Sequence, residues 1–304
     1  MNPLPIVVDS TMMTTFRACP RKFQWEFIEQ LGSQRKSPDL HAGGCFARAL
    51  EVVYHETFIG GRPDAVALAM AEAEFHIRWG DYEPPEKSSK TRDRTWEAVL
   101  DYLKTYPPRS DPIQPFIISG RSSHEFTFAI PLDRETTGID FPLHPSGSPF
   151  IFGGRFDTLG QMGTSIVVQD DKTMGTTPGQ HWNETQQMRG QFLGYLWACR
   201  VLGIQTLTVV VRGTVILKTM IKQLQAIKKY SNWELDRWAD QLSRDLVRMV
   251  RLHSDGHFDY DFGDACTSYG GCGYLSLCTS ASPERWFPTF GKRVWNPINA
   301  NPEE

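Results

Sequence analysis

The sequence predicts an α/β fold in which a mixed sheet is flanked by helices, and three observations carry that expectation. First, a mainly antiparallel group of apolar, β-branched runs occupies the middle of the chain, at Ile117-Ile118, Glu125 to Ile130, Phe150 to Phe156 and Ser165 to Lys172. Second, Asn183 to Leu202 reads as a helix and Thr206 to Lys218 as a strand that follows it. Third, helix-rich sequence brackets this group on both sides. Strands, helix and closing strand in that order compose an α/β core.

Each element has its own justification. Ser10 to Gln30 offers an N-cap at Ser10 and apolar positions at Met13, Phe16, Phe23, Phe27 and Ile28. Pro20 lacks a backbone donor, so it breaks this stretch into two short helices ending near residue 32. A helical insertion runs from about 44 to 106, interrupted at Tyr82-Glu83-Pro84-Pro85, and Tyr106-Pro107-Pro108 is the linker into the core at 117–218. Trp233 to His253 is an amphipathic helix with Leu235, Trp238, Leu242, Leu246 and Met249 on one side. Residues 262–280 hold a cysteine cluster, and 281–304, rich in Pro, Asn and charge, read as a tail with anchors at Trp286, Phe287 and Trp295. With 304 residues and 40% hydrophobic content, residues 1–280 fit one elaborated domain or a core plus a helical subdomain.

Composition narrows the function. The formal net charge of −3 offers no broadly basic coat for nucleic acid, so any phosphate track must be local. Its candidates are Arg17, Arg21 and Lys22, then Lys87, Lys90, Arg92 and Arg94, then Lys218, Lys222, Lys228 and Lys229, with solvated helix or loop faces as the plainer reading of each. Trp25, Trp79 and Trp96 lie near them, able to stack on bases but more at home in packing. There is no internal repeat and no apolar run long enough for a membrane span. No signal peptide opens the sequence, so the expected location is the cytoplasm, or the host cytoplasm for a viral chain. Reduced thiols there favour metal binding over disulfides. Gly153-Gly154 and Gly270-Gly271 lack the lysine and spacing of a phosphate-binding loop.

The chemistry concentrates in Gly154-Arg155-Phe156-Asp157 and in Ile166-Val167-Val168-Gln169-Asp170-Asp171-Lys172-Thr173, joined by a turn at Gly160-Gln161-Met162-Gly163-Thr164. A hairpin brings Asp157 and Asp170 together. Side chains two apart on a strand share a face, so Asp170 and Lys172 point one way and Asp171 the other. Two neighbouring carboxylates repel unless a hard divalent cation with oxygen ligands sits between them. A lysine beside that cation can orient the attacking water and neutralise charge on a phosphate. Downstream, Gln187, Gln191 and Tyr195 at i, i+4 and i+8 line one face of the expected helix.

These segments, closed by Gln191-Phe192-Leu193-Gly194-Tyr195, resemble the RecB-like branch of the PD-(D/E)XK nuclease superfamily in order and spacing. The resemblance implies that Asp157 and Asp170 bind Mg²⁺ or Mn²⁺ and that the Asp171 carbonyl completes the shell. It implies that Lys172 serves catalysis, with Gln191 and Tyr195 positioning the site or the nucleic-acid backbone. Phe16-Arg17-Ala18-Cys19-Pro20-Arg21-Lys22-Phe23 is similar to the Cys-Pro-x-x-aromatic opening of these nucleases. His41 to Glu51 resembles their next helix, except that Ala47 stands where the family has a metal-ligating histidine. Either Glu51, one turn further along that face, or water must then substitute, or the metal is held more loosely.

Cys266, Cys272 and Cys278 recur with five residues between each pair in a glycine-punctuated segment that can wrap an inorganic centre. Cys19 is the natural fourth ligand if the two ends of the chain meet. The resemblance extends to a branch of exonucleases that holds a four-iron, four-sulfur cluster in this way, which implies that these four cysteines bind one. Zinc is the physical competitor, although paired C-x-x-C knuckles are absent, and buried free thiols are a third reading. Cys45 and Cys199 read as core thiols. The function implied is a metal-dependent DNA exonuclease acting on single-stranded or end-containing DNA in recombination, repair or replication. No helicase motif is present, so a helicase or recombination partner would be a separate chain. Two alternatives stand beside it: a catalytically silent DNA-binding or complex-assembly protein that keeps the fold, and an iron-sulfur or zinc protein that is not a nuclease.

Overall fold

The computed structural model describes residues 2–32, 37–118, 120–267 and 271–299. In chain order the elements are β1 (Val7–Val8), α1 (Ser10–Ala18), α2 (Pro20–Phe23), β2 (Leu31–Gly32), α3 (Pro38–Phe58), α4 (Asp64–Trp79) and α5 (Arg92–Thr105). Next come β3 (Ile113–Pro115), β4 (Ile117–Ile118), β5 (Arg121–Ser122), β6 (His124–Pro131), α6 (Arg134–Thr137), β7 (Ile151–Met162) and β8 (Ser165–Met174). The remainder are α7 (Gly190–Val201), β9 (Thr208–Ile216), β10 (Ile221–Lys229), α8 (Asn232–Ser254), α9 (Leu275–Cys278) and β11 (Gly291–Lys292). This is an α/β fold with a central mixed sheet and flanking helices. Among the described residues no helix is long and apolar enough to cross a membrane.

The chain gathers into two units, one of Met1–Arg35, Thr127–Arg155 and Trp233–Glu304, the other of Lys36–Phe126 and Phe156–Asn232. In the first, α1 is capped by Asp9, whose Oδ1 accepts the Met12 N–H at 2.8 Å, so Ser10 is the first helical residue and not the cap. Pro20 does end the first helix, and it opens α2 at a position where its missing N–H costs nothing. A π-helical turn over Gln24–Ile28 follows. β1 pairs in parallel with the start of β7, Val7 opposite Ile151, and Phe152 packs edge-on against Trp238 of α8. Gly154 is required here, because a Cβ would come 2.5 Å from the ring of Phe128. Within 281–299, Pro283–Thr289 forms 3₁₀ turns, β11 pairs antiparallel with β2, and Trp295 Nε1 donates to Asp9 Oδ2 at 3.2 Å.

In the second unit α3, α4 and α5 pack through Phe46, Val53, Phe75, Trp79, Val99 and Tyr102, with Trp96 half-buried against them. Besides the break between α4 and α5, the insertion has another at residues 59–63, between α3 and α4. β8 lies between β7, to which it is antiparallel with Thr158 opposite Gln169, and β9, to which it is parallel with Asp170 opposite Val211. β10 is antiparallel to β9. The β7–β8 turn is tighter than the sequence suggests: Met162 pairs with Ser165, leaving Gly163 at φ +60° and Thr164 as the turn. Gly160 stays in the strand, paired antiparallel with Pro115 of β3, and a Cβ there would meet the Gln114 carbonyl at 2.8 Å. α7 starts at Gly190 instead of Asn183. Arg189 is extended (φ −74°, ψ 119°) and only Glu184–Gln186 makes a 3₁₀ turn before it.

Candidate active site

Asp157 and Asp170 come together as adjacent strands require. Asp157 Oδ2 accepts the backbone N–H of Asp171 at 2.7 Å, which ties it to β8. Asp170 has no exposed surface; its Oδ1 accepts from Lys172 Nζ at 2.8 Å and its Oδ2 is buried without a hydrogen-bond partner. Burial pushes this carboxyl well above the carboxylate range, Lys172 opposes the shift, and Asp157 adds to it. Burial alone would lower the Lys172 ammonium, but Asp170 and Asp157 outweigh it and hold it above the ordinary lysine range. A buried carboxylate oxygen with no donor is a position a hard cation fits.

Asp171 faces the other way, as the two-residue period demands, into a polar network that joins distant parts of the unit. Its Oδ1 accepts from Tyr102 Oη and its Oδ2 from Gln169 Nε2, each at 2.9 Å. Tyr102 Oη in turn accepts from Arg212 Nη1 at 3.1 Å, and Arg212 grips Asp111 with two bonds of 2.6 Å. The Arg212 guanidinium also lies 3.8 Å over the Tyr106 ring. Burial, then Asp157, raises the Asp171 carboxyl to about 6, against the pull of Arg212. His124 stacks 3.8 Å from Tyr54, and burial followed by Arg212 drives it down to about 3, so it is neutral. The far-face network thus fixes Asp171, whose N–H orients Asp157 on the near face.

Gln191 and Tyr195 join the site from α7. Gln191 Nε2 donates to Tyr195 Oη at 2.9 Å, and the phenol packs against Phe156 with centroids 5.2 Å apart. Burial, then Asp157 and Asp170, holds the phenol well above its usual range, so it stays a donor. Gln187, outside α7, instead donates to the Lys229 carbonyl at 3.2 Å. Glu51 is paired with Arg48 at 2.8 Å, and Arg48 also holds Glu74 at 3.0 Å. An ion at Asp157 and Asp170 would have to draw Glu51 from that pair to use it. Two residues escaped the sequence reading. Arg189 lies near enough to Lys172 to oppose its charge, and Glu125, at φ +53°, near enough to Tyr195 to raise its phenol. The strained backbone of Glu125 is visible only in the fold.

The pattern of the PD-(D/E)XK nuclease superfamily matches residues 11–279. The chain belongs to that superfamily. Its members generally use divalent metals. Among solved structures the chain is similar to a "Putative exonuclease" from Eubacterium rectale, at 11% identity and TM-score 0.46, over 90% of this chain and 92% of that one. It is similar also to SSO0001, at 12% identity and TM-score 0.28, over 70% and 78%. No curated protein matches.

The four cysteines singled out in the sequence line one small cavity. Cys19, Cys266, Cys272 and Cys278 surround it with Lys22, Tyr274 and Leu275, and Trp25, Leu31 and Leu277 are buried beside it. Cys19 stands at the start of α2, where its Sγ accepts the Lys22 N–H at 3.4 Å. Burial, then the sulfurs of Cys19 and Cys272, raises the Cys266 thiol, and Cys278 is raised by burial and the same two sulfurs. All four are free thiols, and among the described residues no three His, Cys, Asp or Glu side chains stand in a preformed metal-binding array. Ser268, Tyr269 and Gly270 of this segment lie outside the described residues. Cys45 and Cys199 are core thiols, the latter pushed up to about 12 by burial.

Members of two of the expected basic tracks are engaged inside the fold, while Lys87 and Arg92 stay exposed. Lys90 is 1% exposed and bonds the Thr173 carbonyl at 3.1 Å and Asp39 at 2.8 Å, while Arg94 donates to the Leu217 carbonyl at 2.8 Å. Arg17 pairs with Asp245 at 2.7 Å, and Arg21 is buried against Gln24 and His257. Trp25 and Trp79 are core residues.

Proposed function

We propose that this chain is a divalent-metal-dependent nuclease that hydrolyses DNA phosphodiesters, as an exonuclease on single-stranded or end-containing DNA in recombination, repair or replication. The observation that carries the reading is Asp170, a fully buried carboxylate with one oxygen on Lys172 and the other without a donor, in the field of Asp157. Asp157 and Asp170 would hold Mg²⁺ or Mn²⁺, with the Asp171 carbonyl and Glu51 as further ligand candidates. Such an ion, when bound, polarises a phosphate oxygen and lowers the pKa of a water. Lys172, kept protonated by the two carboxylates, donates toward the phosphate or orients the water. Tyr195, held by Gln191, positions the strand as a neutral donor. Arg189, near Lys172, adds charge for the phosphate.

The same reading assigns Cys19, Cys266, Cys272 and Cys278 to a four-iron, four-sulfur cluster, with zinc as the alternative occupant; four thiols around one cavity support it. Ala47 favours a second reading, a silent DNA-binding or assembly protein. End-labelled single- and double-stranded DNA, incubated with anaerobically purified protein and Mn²⁺, Mg²⁺ or EDTA, separates the two. Metal-dependent loss of label that falls at least a hundredfold in Lys172→Ala supports the nuclease. Binding without cleavage supports the silent protein.

A further inference from the structure

A cavity of about 310 Å³ lies outside the carboxylate cluster, bounded by Trp182, Asn183, Val215, Leu217, Lys222 and Leu224. Strand register fixes the side of the sheet on which it opens. Lys172 is opposite Gly213 and Met174 opposite Val215; across the next pair, Gly213 is opposite Leu224 and Val215 opposite Lys222. Directly paired residues point to one face, so Val215, Lys222 and Leu224 share the face of Asp170 and Lys172.

Gly213 explains why the indole sits there. A Cβ on it would come 3.0 Å from the Trp182 ring and 2.6 Å from Met174, so the bare backbone beside Lys172 is what admits Trp182. Val215 stands two residues along from Gly213 and one strand over from Met174. At about 3.3 Å per residue and about 4.8 Å between strands, the floor of the cavity is roughly 8 Å from the Lys172 backbone. That is of the order of the distance between neighbouring nucleotides.

The lining has the chemistry of a base site: an indole and aliphatic side chains for a flat ring, the Asn183 amide for its polar edge, and the Lys222 ammonium for the phosphate attached to it. A base can reach such a cavity only when unstacked from its neighbours. We propose that the cavity is a nucleobase subsite, in which a base adjoining the scissile phosphate of a single strand stacks on Trp182. This rests on the nuclease reading and supplies a physical basis for a preference for single strands.

The test measures oligonucleotide binding in the cleavage-defective Lys172→Ala background with Mn²⁺ by fluorescence anisotropy. Adding Trp182→Ala is expected to weaken single-strand binding roughly five- to a hundredfold, and Trp182→Phe to recover most of it. An abasic residue moved along the oligonucleotide is expected to cause the same loss at one position only, and none there once Trp182 is alanine. A flat abasic scan, or Trp182→Ala binding as tightly as its parent, overturns the proposal. If Trp182→Ala unfolds, Lys222→Glu and the abasic scan of the parent decide the matter alone. Absence of metal-dependent cleavage by the unsubstituted protein would instead count against the nuclease reading, and leaves this binding result to be judged separately.

Discussion

Asp170→Asn is expected to make the metal-free protein more stable while abolishing the proposed metal-dependent cleavage. Asp170 is fully buried and its carboxyl is pushed up to about 7 from 3.8, chiefly by burial. The unfolded chain gives up this proton near pH 4 and the folded chain only near pH 7, so stability falls as pH rises through that window. The loss by pH 8 is on the order of a few kcal/mol, since each tenfold change in proton affinity is worth about 1.4 kcal/mol. Asparagine is nearly isosteric and carries no charge, so it removes this penalty, and Lys172, whose side chain is 33% exposed, can turn to water when its partner is gone. Urea unfolding at pH 5 and pH 8 measures the effect. The variant should be more stable than the parent at pH 8, by on the order of a few kcal/mol, and gain much less at pH 5. Mn²⁺ should stabilise the parent at pH 8 and leave the variant nearly unchanged. Asp9 and Asp171 are also raised, to about 6; the difference between the two proteins cancels Asp9 and reports Asp170 together with its effect on Asp171. A variant less stable than its parent at pH 8, or equally stabilised by Mn²⁺, would refute the reasoning.

Two further outcomes are expected. Asp111→Ala strands the Arg212 guanidinium, which is 1% exposed, and should cost about 3–5 kcal/mol in urea unfolding, whereas Asp111→Leu with Arg212→Met should recover most of it; a loss under about 1 kcal/mol in the single variant would show that Tyr102 and Tyr106 suffice to hold the charge. Cys272→Ser should abolish bound iron and lower the unfolding temperature of anaerobically prepared protein, and metal analysis returning zinc in the parent would reassign the cavity.

What could be read from the sequence was local. The two-residue strand period puts Asp170 and Lys172 on one face and Asp171 on the other, and the short turn dictates that β7 and β8 pair, so the meeting of Asp157 with Asp170 needs no distant information. Pro20 and the apolar stripe of α8 act through equally local rules. What escaped depends on contacts across the chain. Tyr102 and Asp111 lie 110 and 101 residues from Arg212, and the only trace of their network is an arginine inside the otherwise apolar run Val209-Val210-Val211-Arg212. Lys90 looks like one of several surface cations, and only the placement of Thr173 and Asp39 buries it. The helical spacing of Gln187 with Gln191 is real in sequence but not in structure, because Arg189 adopts an extended conformation before Gly190 begins the helix. Asp9, one residue after β1 ends, caps α1 where the sequence pattern points to Ser10.

The interleaving of the two units sets a timetable for making the protein. Every residue of the unit holding Asp157, Asp170 and Lys172 has been synthesised by residue 232, whereas the other unit needs segments from both the beginning and the end of the sequence. Cys19 is made early and must wait for Cys266, Cys272 and Cys278. At ribosomal speeds of about 5–20 residues per second, the stretch from 232 to 278 takes roughly 2–9 s. During that interval the carboxylate site can close around its sheet while the cysteine cavity does not yet exist. Any cofactor loaded there therefore enters a protein whose carboxylate unit is already complete, and loading becomes a late step in maturation, open to control by the supply of that cofactor.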